Sequence, residues 1–169
     1  MQRPKYRLAG VFFLLFLALA AATAWFSHQP AQESYQFTSS MMESLEGTGL
    51  SAFTPDMELF GYDAYHSFRK WVHIYLFVLL GASAAAVGQF LRGCRTERML
   101  SRPLWREWLL PLGACALHAA LNEFHQGFFP GREAHIRDFG FDLAGSLLGI
   151  LAAGLLAAAL RRAVRGPKK

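Results

Sequence analysis

The sequence predicts an all-α fold: a four-transmembrane-helix bundle, N-in/C-in, with a polar outer loop after the first helix. Three observations lead there. Four long apolar runs divide the chain. The charged stretches between those runs alternate in sign. Finally, 53% of the 169 residues are hydrophobic, which is more apolar than an ordinary soluble domain and too short for a second one, so 1–169 reads as a single membrane domain.

The runs predict helices over about 8–26, 72–91, 106–124 and 139–160, each near the roughly 17–25 residues that cross a hydrocarbon core. Leu8–Phe26 contains no charge, and it exceeds the roughly 7–15 apolar residues of a signal peptide, so it reads as an anchor. Val72–Leu91 is interrupted by His73 and Gln89. Trp108–Leu121 is the shortest run and continues through Asn122 toward Phe124. Leu143–Leu160 is almost entirely Leu, Ala and Gly. Between the first two runs, Ser27–Ser67 is polar, and a short amphipathic helix is expected near Ser39–Leu45. Trp25, Trp71, Trp105 and Trp108 stand at run ends, as an interfacial aromatic belt requires.

Charge sets the orientation. The five polar blocks carry +3, −4, +3, −2 and +5 in chain order, matching the net +5 of the whole chain. Positive blocks stay in the cytoplasm, so both termini and the middle loop are expected inside, with Ser27–Trp71 and Glu123–Asp142 outside. The basic balance therefore reports orientation and contact with anionic lipid; no nucleic-acid partner is expected. Cys94 and Cys115 fall in a cytoplasmic loop and inside a helix, so no disulfide framework is expected.

The chemistry concentrates in NEFHQGFFPGREAHIRDFGFD, Asn122 to Asp142. This outer loop and its flanking helix ends hold two histidines, four acids and two arginines. Topology brings it to the same side as Ser67–His73, which carries Arg69 and Lys70. Helical spacing aligns His118, Asn122 and His125 on one face of the third helix and leaves Glu123 to find another partner. On the fourth helix Asp138, Asp142, Gly145 and Gly149 share one face, so two carboxylates stack above two glycines suited to close helix packing. Ionisable groups at membrane depth usually face a partner or a wet cavity, and Arg69, Lys70, Arg132 and Arg137 are the available cations. Arg132 follows the Pro130-Gly131 turn and is expected to fold back toward Glu123, Asp138 or Asp142. No HExxH or CxxC spacing exists, and neither a metal nor any other cofactor is expected.

At these residues the chain resembles the VanZ family of small bacterial membrane proteins. The resemblance rests on FSHQP after the first helix, FRKWVHIYLFVLLG opening the second, and NEFHQGFFPGREAHIRDFGFDLAGSLLG. It matches the family pattern at Ser27, Gln29, Arg69, Lys70, His73, Glu123, Gln126, Pro130, Gly131 and Arg132, then at Asp138, Asp142, Gly145 and Gly149. The chain departs from it at Asn122, where an aspartate is common, and at Phe77, where a tyrosine is usual. The resemblance implies an integral protein of the bacterial cytoplasmic (inner) membrane, of the cell envelope, in a family linked to low-level teicoplanin resistance.

Three functions remain open at this stage. The first is an outward-facing polar site for an anionic lipid or cell-wall precursor head group, built from Arg69, Lys70, His73, Glu123, Gln126, Arg132, Asp138 and Asp142. Arginine would grip phosphate through its planar fork, lysine as a point charge, and the acids would orient both. Such a protein could also help the lipid between leaflets. The second is an intramembrane enzyme with Glu123, His125 or His73 as acid or base. The third is a structural subunit that docks a membrane protein partner or a second copy of itself through its glycine face.

Overall fold

The computed structural model describes residues 3–92, 105–129 and 135–165. All regular structure among the described residues is helical: α1 Arg3–Ser27, α2 Ala31–Leu45, α3 Ala64–Arg92, α4 Trp105–Gln126 and α5 Ile136–Arg165. Two short 3-10 turns, Leu50–Phe53 and Glu58–Phe60, lie between α2 and α3.

Each long helix outruns its apolar segment, because hydropathy marks the greasy span while helix ends follow caps and charged turns. The largest extension is in α3, which begins eight residues before Val72. Asp63 explains that start: its carbonyl accepts the Ser67 N–H at 2.8 Å and its carboxylate accepts the His66 N–H at 2.7 Å, an N-cap arrangement. Arg69 and Lys70 consequently sit on the first turns of a rigid helix, two residues and one before Trp71. The helix expected near Ser39–Leu45 is real but starts at Ala31, with Ser34 and Thr38 on its buried face.

α3 and α5 share the largest helix–helix interface, and small residues make it possible. An added Cβ on Gly145 would stand 2.6 Å from the Ile74 carbonyl oxygen, and one on Gly149 would overlap the Val78 carbonyl. Gly81 of α3 is equally tight against the Ser146 backbone. The expected glycine face thus lies against α3, and no side chain separates the two backbones there. α1 packs on α3, and α4 closes against α5 and α3 around a core of Phe77, Leu80, Cys115 and Ala119.

Many large apolar side chains stand on the outer surface. Leu14, Leu110, Leu117 and Leu155 are each more than 60% exposed, a pattern that soluble monomers rarely show. Among the described residues three helices, α1, α3 and α5, contain stretches long and apolar enough to cross a membrane. α4 has the length, 22 residues, but Pro111, His118, Asn122, Glu123 and His125 dilute its apolarity.

Candidate functional site

The start of α3, the end of α4 and the start of α5 meet at one end of the bundle. There a cleft is lined by Arg69, Lys70 and His73 from α3, Glu123 and Gln126 from α4, and Asp138, Phe141 and Asp142 from α5. Seven of the eight expected binding residues are therefore together, contributed by three separated parts of the chain. The eighth, Arg132, lies outside the described residues with the rest of its turn.

Spacing explains the convergence. Arg69, Lys70 and His73 lie within one turn of α3, and Asp138 and Asp142 lie one turn apart on α5. The glycine-tight crossing below them draws the two polar faces together. Lys70 Nζ donates to Asp138 Oδ2, and both side chains are nearly buried. His73 Nδ1 lies 3.5 Å from Asp142 Oδ1. Asp142 is 1% exposed, and its Oδ2 has no hydrogen-bond partner among the described residues. From α4, Glu123 accepts the His135 backbone N–H at 3.2 Å and the Gln126 amide at 3.4 Å. Gln126 also donates to Ser27 Oγ at 3.1 Å, which fastens the end of α1 to the cleft. Arg69 forms no ion pair among the described residues and also borders a second, more apolar cavity of about 30 Å³ with Gln29, Phe37 and Thr38.

The polar cleft is nearly filled by its own side chains. Its free space, about 10 Å³, is on the order of one water molecule. An incoming group must therefore displace something, and the Lys70–Asp138 contact is what stands at the centre.

Tyr62 was not legible in the sequence as part of this site. Its hydroxyl donates to Asp138 Oδ1 at 3.5 Å, and its ring lies 5.3 Å from Lys70 Nζ, in cation–π range. Burial, followed by the Asp138 charge, raises the phenol above its ordinary pKa. The loop holding Tyr62 is tied to α3: Ser67 Oγ accepts the Met57 N–H, and Trp71 Nε1 donates to the Pro55 carbonyl. Gly61, at φ 78°, then turns the chain so that Tyr62 meets the ion pair. Only the left-handed glycine ahead of an aromatic hinted at this in the sequence.

His125 goes elsewhere. Its ring stacks on His28 at 4.1 Å, and Phe129 flanks both rings. The expected stripe of His118, Asn122 and His125 exists, but it serves the α1 side: His118 Nε2 lies 2.7 Å from Thr23 Oγ1. Phe77, where the resemblance leads one to expect tyrosine, is fully buried in the core beside His118. Among the described residues no three His, Cys, Asp or Glu side chains converge as metal ligands.

An apolar exterior and a buried charge cluster at one end of the bundle define a helical membrane protein with a polar end-site. The chain belongs to the VanZ family: the family described as VanZ/LLP1 matches residues 12–157. No curated protein and no solved structure matches it.

Proposed function

We propose that this VanZ-family protein spans the bacterial cytoplasmic membrane four times, N-in/C-in, and binds the phosphate of an anionic lipid or lipid-linked cell-wall precursor in its outward-facing cleft. The observation that carries the reading is the convergence of Arg69, Lys70, His73, Glu123, Gln126, Asp138 and Asp142 on one cleft. Charged groups at membrane depth are expensive, and a set drawn from three chain segments calls for more than helix capping. Arg69, free of any described ion pair, is the phosphate fork, and Lys70 supplies a second charge once it leaves Asp138. Gln126 and His73 add hydrogen bonds. The alternating charge blocks support an outward orientation for this end of the bundle. Help in moving such a lipid between leaflets, and a link to glycopeptide susceptibility, are compatible extensions.

A second reading has one observation in its favour. His73 and Asp142 are disposed as a base and its orienting carboxylate, the arrangement a hydrolase uses. That would place an enzyme's base at His73, since His125 stacks on His28 instead.

Mass spectrometry of co-purifying lipids tests the main reading. Wild type should retain anionic phospholipid or prenyl-phosphate species that Arg69→Ala and Arg132→Ala lose. Identical lipid profiles in all three proteins would remove the head-group assignment.

A further inference from the structure

We infer that phosphate binding in this cleft is coupled to proton uptake, one proton entering with each anion; this rests on the head-group reading above. The argument is one of charge and space. Among the described residues, three carboxylates, Glu123, Asp138 and Asp142, face two permanent cations, Arg69 and Lys70, around the cleft. Lys70 is already committed to Asp138. One buried oxygen of Asp142 has no hydrogen-bond donor among the described residues. Room exists for about one water molecule.

A phosphate can therefore reach Lys70 only by displacing Asp138. That leaves a displaced carboxylate beside two others and adds a further negative charge. At a burial where Lys70 and Asp138 side chains are only 12% and 11% exposed, such a surplus is far more costly than in water. Taking a proton from solvent onto the displaced Asp138 carboxyl removes it, and the neutral acid can still accept from Tyr62.

Every charged or titratable group that faces the cluster among the described residues enters this balance. α3 presents Arg69, Lys70 and His73, and α4 presents Glu123 with the nearer ring of His118. α5 presents Asp138 and Asp142, with Arg137 acting at longer range, and the loop before α3 presents Tyr62. His73 lines the cleft directly, and its proton uptake would favour anion binding in the same direction, so the test separates it.

The test uses full-length protein in neutral detergent with chelator present, so that only protons can balance charge. The probe is dioctanoyl phosphatidylglycerol, a phosphodiester whose own charge stays constant between about pH 5.5 and about pH 8.5. Coupling to one proton weakens binding about tenfold per pH unit as pH rises. The slope should persist in His73→Gln and vanish in Asp138→Asn, which should bind more tightly than wild type at the alkaline end. A pH-independent Kd in wild type overturns the coupling, and needs no variant to fold. Loss of the slope in His73→Gln, or its survival in a folded Asp138→Asn, overturns the assignment to the displaced carboxylate. Absence of saturable binding at every pH strikes the head-group reading itself. Glycerophosphoglycerol, the same diester without chains, separates the sources: equal affinity would make the ligand a free phosphodiester, and much weaker binding makes it a lipid.

Discussion

Gly149 of α5 lies so close to Val78 of α3 that an added Cβ would overlap the Val78 carbonyl oxygen. The obstacle is backbone, which cannot rotate away as a flexible side chain could. Gly149→Ala should therefore cost about 1–3 kcal/mol of stability, as overpacked substitutions do. Gly113 of α4 is the internal control, since a Cβ there meets nothing within 4 Å. Gly113→Ala should be neutral or stabilising by up to about 1 kcal/mol through helix propensity. Thermal denaturation in detergent checks both signs. Equal effects from the two alanines would mean that α3 and α5 do not cross at this distance.

Lys70 and Asp138 should behave as a coupled pair. Removing either partner leaves the other's charge nearly buried, at a cost of about 3–5 kcal/mol, whereas removing both leaves a cleft with no orphan between them. Lys70→Met and Asp138→Leu should each melt well below wild type. The double variant should recover most of the loss, a coupling that a double-mutant cycle reads directly. Single losses that simply add would show that the two groups do not depend on each other.

The capped start of α3 carries a pH signature outside the membrane. Hydrogen bonding from the His66 backbone holds the Asp63 carboxyl below its ordinary pKa. A depressed carboxylate stabilises the fold at pH values above its unfolded pKa of about 3.9, and that contribution fades as pH falls through the lower folded value. Asp63→Ala should cost about 1 kcal/mol at neutral pH, the usual loss of an N-cap. The gap between variant and wild type should narrow steadily as denaturation is repeated at pH values falling below about 3.9. A gap that stays constant with pH would mean the charge of Asp63 does not contribute.

Orientation has a direct chemical test. Cysteine introduced at the exposed Ser40 of α2 should react with an impermeant thiol reagent in intact cells, and cysteine at Ser101 should not. Labelling at Ser101 alone would invert the topology.

Which parts of this architecture could be read from the residues follows from what each signal measures. Apolar runs report where hydrocarbon would be met, so they locate α1, α3 and α5 well and their ends poorly. The first eight residues of α3 lie outside the apolar run because Ala64–Trp71 mixes His66, Ser67, Arg69 and Lys70 with aromatics, and the Asp63 cap marks where the helix begins. Helical phase placed Asp138, Asp142, Gly145 and Gly149 on one face correctly, because spacing within a single helix needs no tertiary knowledge. Phase also grouped His118, Asn122 and His125, but it cannot say which neighbour a face meets. The neighbour is α1, through Thr23 and His28, so His125 does not share the cleft with Glu123. Tyr62 was hidden for a different reason: its position depends on the Met57 N–H donating to Ser67 and Trp71 donating to Pro55, within an irregular loop with no sequence period.

The most direct measurement of the central claim places a photo-reactive phenylalanine analogue at Phe141, on the cleft wall, and compares it with the same analogue at Leu117, which faces outward. After illumination in native membranes, the lipids cross-linked at each position are identified by mass spectrometry. Leu117 should capture lipids in proportion to the bulk membrane. Phe141 should capture mainly anionic phospholipid or prenyl-phosphate species, and that enrichment should disappear when Arg69→Ala is added. Adducts at Phe141 that mirror the bulk composition, or that are unchanged by Arg69→Ala, would contradict a phosphate-binding cleft.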